Sequence, residues 1–427
     1  MPNWRSMAIA RTGGRKVPQP DGTLVAFPKS PVRRPRDPRI DTFRGLALLM
    51  ILVDHIPGNP YEILTLRNFG FSDAAEAFFV MSGIAAGIAY SGAIQRWSAG
   101  EVRLWPAISP FWGRAWTLYL VQIFLTVAAL ALYAWAADTF LRAGLRSEHN
   151  VGLVFEQTGA ALSGLATLRY QIGYVNILPA YILLMLAAPL AVWGGLRAPW
   201  ITLGVSGGLW FVAGWQGWNV PNHPGGGGWF FSPFTWQAIF VLGLVIGIRH
   251  RQGRRLVPVS RPLFWLCAAF LALTLAWSRV PELAAYLNHK MAELGALGAP
   301  ANVVSHNKTY LALPRLLHVL ALIYAVSCLP AVTRACAHPA AAPLRLLGRQ
   351  GLLVFAAGTV LALAAQIALE VEPGSPWLPW LLPLVAAAIV YAMAWSRDRL
   401  GKSAAPAAGG IPASAAQDPP REAANRG

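Results

Sequence analysis

From about residue 41 to 396, long apolar runs alternate with short polar or basic connections. A helix of about 20 apolar residues crosses the hydrocarbon core of a bilayer, and the pattern predicts ten such helices. They lie near 41 to 57, 75 to 93, 113 to 137, 173 to 194, 199 to 214, 234 to 249, 262 to 278, 313 to 333, 350 to 369 and 376 to 396. The expected fold class is all-α, a polytopic integral membrane helix bundle of about ten transmembrane helices with both termini cytoplasmic. Pro57, Pro179, Pro189, Pro314 and Pro383 fall in or beside these runs. A bundle tolerates such breaks where neighbouring groups satisfy the freed backbone.

Composition agrees. Of 427 residues 56% are hydrophobic and 12% are charged, about half the charged share of an ordinary soluble protein. The net charge of +17 raises the question of nucleic acid, but its distribution gives another answer. Nine basic side chains precede residue 40, and Arg96, Arg103, Arg114, Arg197, the run RHRQGRR (249 to 255) with Arg261, and Arg334, Arg345 and Arg349 fall between apolar runs. The alternate connections hold most of the acids, among them Glu62, Asp73, Asp138, Glu148, Glu282 and Glu370. This is the positive-inside pattern, so membrane lipid and not nucleic acid is the expected partner. Residues 1 to 39 read as a basic disordered cytoplasmic tail, 40 to 397 as the membrane domain, and 398 to 427 as a second disordered cytoplasmic tail. Cys267, Cys328 and Cys336 have no spacing that implies a disulfide framework or a metal site.

Within the first apolar run, Arg44 and His55 are eleven positions apart. On a helix that puts them roughly 20° apart around the axis and about 16 Å apart along it. Intramembrane ionisable residues are expensive and mark function by default. An imidazole can take a hydroxyl proton and return it to a leaving group, so His55 is the candidate catalytic base, set against a plain helix-end histidine. An orienting carboxylate for it is expected from Asp73 or Glu76. These belong to LTLRNFGFSDAAEAFFVMSG (64 to 83), which also holds Arg67, Asn68 and Ser72. Helix capping accounts for Ser72 and Asp73 but leaves Arg67 and Glu76 unexplained. Arg67 is a candidate to hold a carboxylate or an oxyanion.

Three further groups are candidate substrate contacts. WQGWNVPNHPGGGGWFFSPFTW (215 to 236) offers Trp218, Asn219, Trp229 and Trp236, either for the faces and hydroxyls of a sugar or as an interfacial aromatic belt. HNKTYLALPRLLHVLAL (306 to 322) places Arg315 and His318 three apart on one helix face. Arg114 sits where a connection becomes the third helix, either snorkelling or contacting phosphate. No Walker A loop, HExxH motif or GxSxG elbow is present.

Taken together, RDPRIDTFRGLALLM, DHIPGN, LTLRNFGFSDAAE, RAWTLYL, NILPAYILLML, PGGGGWFFSPFTWQ, NKTYLALPRLLH and GRQGLLVF, spread over about residues 36 to 360, make the chain resemble the OpgC family. These are bacterial membrane succinyltransferases of osmoregulated periplasmic glucans, within the family-3 membrane acyltransferases. The wider group has an Arg, ten residues and a His on its first helix, which Arg44 and His55 match. It also tends to carry an RxxR motif near helix three; here the stretch reads FWGR, and only Arg114 matches. The resemblance implies catalysis by His55 and no bound cofactor. It further implies a cytoplasmic acyl-CoA donor, succinyl-CoA in this family, a periplasmic glucan acceptor, and residence in the bacterial inner membrane. A transporter or flippase for a glycan or lipid-linked sugar is the alternative, since buried charges and broken helices also line transport paths.

Overall fold

The computed structural model describes residues 37 to 403 and a two-residue antiparallel pairing of Val17–Pro18 with Leu24–Val25. Most of the two segments read as disordered tails lies outside the described residues. Most of the remainder is helical. In chain order the helices are α1 (Pro38–Asp54), α2 (Ala74–Ser98), α3 (Leu104–Thr139), the short α4 (Leu153–Glu156) and α5 (Thr158–Ala166), α6 (Ile177–Arg197), α7 (Pro199–Trp215) and α8 (Pro233–Arg251). There follow α9 (Arg261–Arg279), α10 (Pro281–Ala296), α11 (Leu313–Cys328), α12 (Pro330–Ala337), α13 (Ala342–Arg349), α14 (Gly351–Val371) and α15 (Leu378–Ser403).

Among the described residues seven helices are long and apolar enough to cross a membrane, or eight if α11 and α12 form one broken span. The chain is a multi-pass membrane protein. The expected ten are not all reached by length: α1 and α7 occupy two of the ten positions but have 17 residues each, about 26 Å of helix against a core of about 30 Å. The single helix expected over 313 to 333 is bent by 79° between α11 and α12. Pro330 opens α12, and a proline cannot continue the preceding helical hydrogen bonds. In α3 the helix begins at Leu104, so Arg114 lies ten residues inside it instead of at its start. The first turn accepts Pro106 because its missing N–H would be unpaired there anyway. The expected start at 173 moves to Ile177, leaving 173 to 176 irregular.

The closest packing joins α2 to α8 through two glycine pairs, Gly83 with Gly87 and Gly243 with Gly247. A Cβ at Gly83 would fall 2.2 Å from the Phe240 carbonyl oxygen, and one at Gly243 would fall 2.4 Å from that of Val80. Small residues four apart let helix backbones touch where lipid removes the hydrophobic drive to associate. Exposed Trp112, Trp116 and Phe124 on α3, Trp265 on α9 and Trp380 on α15 form an apolar exterior, as lipid contact requires.

Candidate active site

His55 is the first residue beyond α1, yet its backbone N–H still donates to the Ile51 carbonyl at 3.1 Å, so the helical register reaches it. The face shared by Arg44 and His55 also carries Leu48, Ile51 and Leu52. Those three and His55 line a cavity against Val354, Phe355, Gly358, Thr359 and Ala362 of α14, with Tyr174. At about 10 Å³ the cavity has room for about one water. At the other end of this face Arg44 donates through Nη2 to the Met81 carbonyl of α2 at 3.3 Å. Its aliphatic stem lies over Gly351 at the start of α14, 3.2 Å from where a Cβ would be.

The imidazole is oriented by backbone. Nδ1 of His55 contacts the Ile51 carbonyl oxygen. A carbonyl can only accept, so Nδ1 carries the proton and Nε2 keeps the lone pair that a general base needs. The carboxylate expected in this role is absent from the ring: Asp73 and Glu76 are engaged elsewhere. A side-chain network holds the His55 backbone instead. Gln366 of α14 donates to the His55 carbonyl at 2.6 Å, while its own Oε1 accepts from Tyr133 at 3.0 Å and pairs with His149 Nε2 at 3.0 Å. Tyr174 stands edge-on to both imidazoles, with ring centroids 4.8 Å from His55 and 5.0 Å from His149.

Asp73, Glu76 and Arg315 meet at the same end of the bundle, where α1 leads through residues 55 to 73 into α2. Asp73 caps α2 by accepting from the Ala75 N–H at 2.8 Å, and Glu76 reaches back to the Asp73 N–H at 2.9 Å. Two orphan donors are thereby satisfied reciprocally. The cap is therefore Asp73, not Ser72. Arg315 closes on both carboxylates, from Nε to Glu76 at 2.7 Å and from Nη2 to Asp73 at 3.1 Å, and Lys308 also pairs with Asp73. Burial alone would raise the Asp73 carboxyl, but Lys308 and Arg315 hold it well below the usual carboxylate range. Glu76 is fully buried, so its charge depends on Arg315.

His318, one helical turn beyond Arg315, is 1% exposed. Its Nδ1 lies 2.6 Å from the Ser72 hydroxyl, and the ring also hydrogen-bonds the Phe69 backbone. Gly70 is pressed against it: a Cβ there would stand 2.2 Å from His318 Nε2. Nearby His306 has a buried Nδ1 with no hydrogen-bond partner, and burial followed by the Arg315 charge lowers its pKa.

The other candidates are dispersed. Arg67 is half exposed and pairs at 3.9 Å with Glu62. Arg114 lies on α3 near Tyr90. Trp229 and Trp236 are buried, the latter donating through its indole to the Lys308 carbonyl at 3.0 Å. Asn219 donates to the Trp229 carbonyl at 2.8 Å. Of these four aromatic and amide candidates, Trp218 is the exposed one, at 49%. Sequence reasoning missed Gln366, Tyr133, His149 and Tyr174. Gln366 could have been noticed as a lone amide in an apolar run; the other three carry no periodic signal.

The family profile of the OpgC protein matches residues 36 to 402. The chain belongs to the OpgC family. Membership marks it as a membrane protein of acyltransferase type, and the match spans every helix of the bundle except the last residue of α15. No curated protein matches the chain in a sequence search.

Proposed function

We propose that this OpgC protein is an inner-membrane O-succinyltransferase that takes its acyl group from cytoplasmic succinyl-CoA and delivers it to hydroxyls of a periplasmic glucan. What carries the reading is the α1 face itself: Arg44 and His55 stand at the two ends of one stripe, a small cavity lies between α1 and α14 at the His55 end, and His55 keeps Nε2 as the acceptor.

In the reaction, Nε2 of His55 takes the proton of a sugar hydroxyl as that oxygen attacks the thioester carbonyl carbon. The tetrahedral oxyanion collapses, the carbon–sulfur bond breaks, and the imidazolium returns its proton to the departing thiolate. The products are a succinyl ester and free CoA. Direct acylation of His55, followed by attack of the sugar on the acyl-imidazole, is the two-step variant. Arg44 and Arg114 are the proposed contacts for the phosphates or pantetheine arm of the donor. Arg67, or Arg315 freed from its carboxylates, would stabilise the oxyanion. Each succinyl ester leaves a free carboxylate and makes the glucan anionic.

The test is reconstitution in proteoliposomes with labelled succinyl-CoA on one side and glucan on the other, read by mass spectrometry of the glucan. Covalent transfer supports the reading; movement of glycan across the membrane without ester formation would establish the transporter alternative. Reporters fused within 249 to 261 and after residue 402 should read cytoplasmic, and one within 215 to 233 periplasmic.

A further inference from the structure

Tyr174 belongs to none of the polar networks above, yet its ring stands against His55. The residue is 39% exposed and lines the His55 cavity. Its backbone has φ of +66°, in the left-handed region that side-chain-bearing residues seldom adopt. Among the described residues six non-glycine residues have positive φ, and five of them, Leu141, His149, Asn150, Leu168 and Tyr174, lie in the α3–α6 connection, which supplies the ring beside His55. Strain of this kind persists only where surrounding contacts over-determine it, and it gathers at functional sites.

Those contacts are present. The Gly173 N–H donates to the His149 carbonyl at 3.1 Å, and the Tyr170 hydroxyl donates to the Asn150 carbonyl at 2.7 Å. A Cβ at Gly173 would stand 3.0 Å from His149 Nδ1, so the two segments are in close contact next to Tyr174. His149 is in turn fixed by Gln366, the side chain that pins the His55 backbone. The same framework therefore sets both the base and the aromatic ring.

We infer that Tyr174 is an acceptor-binding residue, a fixed aromatic platform on which the apolar face of a sugar ring lies so that one hydroxyl reaches His55. The inference rests on the acyltransferase reading. A partly exposed aromatic residue beside the half-buried His55 suits a carbohydrate, whose C–H faces pack on rings while its hydroxyls remain free to react. In that reading Arg44 and Arg114 contact the donor, so Tyr174 should govern the acceptor and leave the donor untouched.

The experiment uses the full chain in proteoliposomes, with succinyl-CoA as donor and a short glucose oligosaccharide as acceptor probe, for wild type, Tyr174→Phe, Tyr174→Asn and His55→Ala. Asn tolerates the left-handed backbone, so it removes the ring without forcing the fold. Tyr174→Asn is expected to raise the acceptor KM by roughly five- to tenfold, the scale of one lost aromatic contact, with the KM for succinyl-CoA unchanged. Tyr174→Phe should remain near wild type. An unchanged acceptor KM in Tyr174→Asn, a donor KM that rises equally, or an equal defect in Tyr174→Phe would overturn the platform while leaving the acyltransferase reading in place. Absence of transfer by wild type, or full transfer by His55→Ala, would overturn that reading itself.

Discussion

His55 and His318 belong to the same end of the bundle and read alike in the sequence, each an imidazole sharing a helix face with an arginine. The structure separates them by what their ring nitrogens do. Nδ1 of His55 is committed to the Ile51 carbonyl, and the residue lines a cavity. His318 is buried between Ser72 and Phe69, with Gly70 packed on its ring. Such a histidine is a latch for the turn that leads into Asp73, and proton transfer needs a nitrogen that is not already engaged.

The sharpest way to break this distinction is to remove both rings in turn. His55→Ala should lower succinyl transfer by about 10² to 10⁴ while the protein still inserts and melts normally. Transfer near the normal level, measured as glucan ester content at matched membrane expression, would end the proposed mechanism. The next effect is on folding. Arg315→Met leaves Asp73 and Glu76 buried without their guanidinium and should cost roughly 3–5 kcal/mol, seen as a large drop in detergent melting temperature. An unchanged melting curve would show that the cluster is solvated and open to substrate.

His318→Ala should be milder, costing about 1–3 kcal/mol of stability for the unsatisfied Ser72 hydroxyl and reducing transfer far less than His55→Ala. His318→Gln, which can refill both hydrogen bonds, should restore most of it. Equal loss of turnover in the two histidine variants, without loss of folded protein, would make His318 a second proton carrier. Arg67→Lys should have the smallest effect on stability: its partner Glu62 is exposed and 3.9 Å away, and exposed pairs contribute about 0.2–1 kcal/mol. A strong fall in turnover at unchanged stability would instead assign Arg67 to the oxyanion, where a planar fork matters.

Glycines on α2 and α8 mark another limit of sequence reading. The spacings Gly83 to Gly87 and Gly243 to Gly247 are visible in the chain, but which two small-residue faces meet depends on the partner helix, and that is a tertiary fact. The helix breaks are similar: Pro330 announces a stop, but the 79° bend between α11 and α12 is visible only in the structure.

By itself the sequence determined that the chain is a helical membrane protein, that Arg44 and His55 share a face, and that the family is OpgC, because hydropathy period and motif spacing are local properties of the chain. Only the tertiary structure decided that the His55 ring is oriented by the Ile51 carbonyl and its own carbonyl by Gln366. It also decided that Asp73 and Glu76 serve Arg315, that Trp229 and Trp236 are core residues, and that Tyr174 stands at the cavity. The physical reason is that a charge, an amide or an aromatic ring acts according to the partner that satisfies it, and here those partners lie up to 311 residues away in the chain.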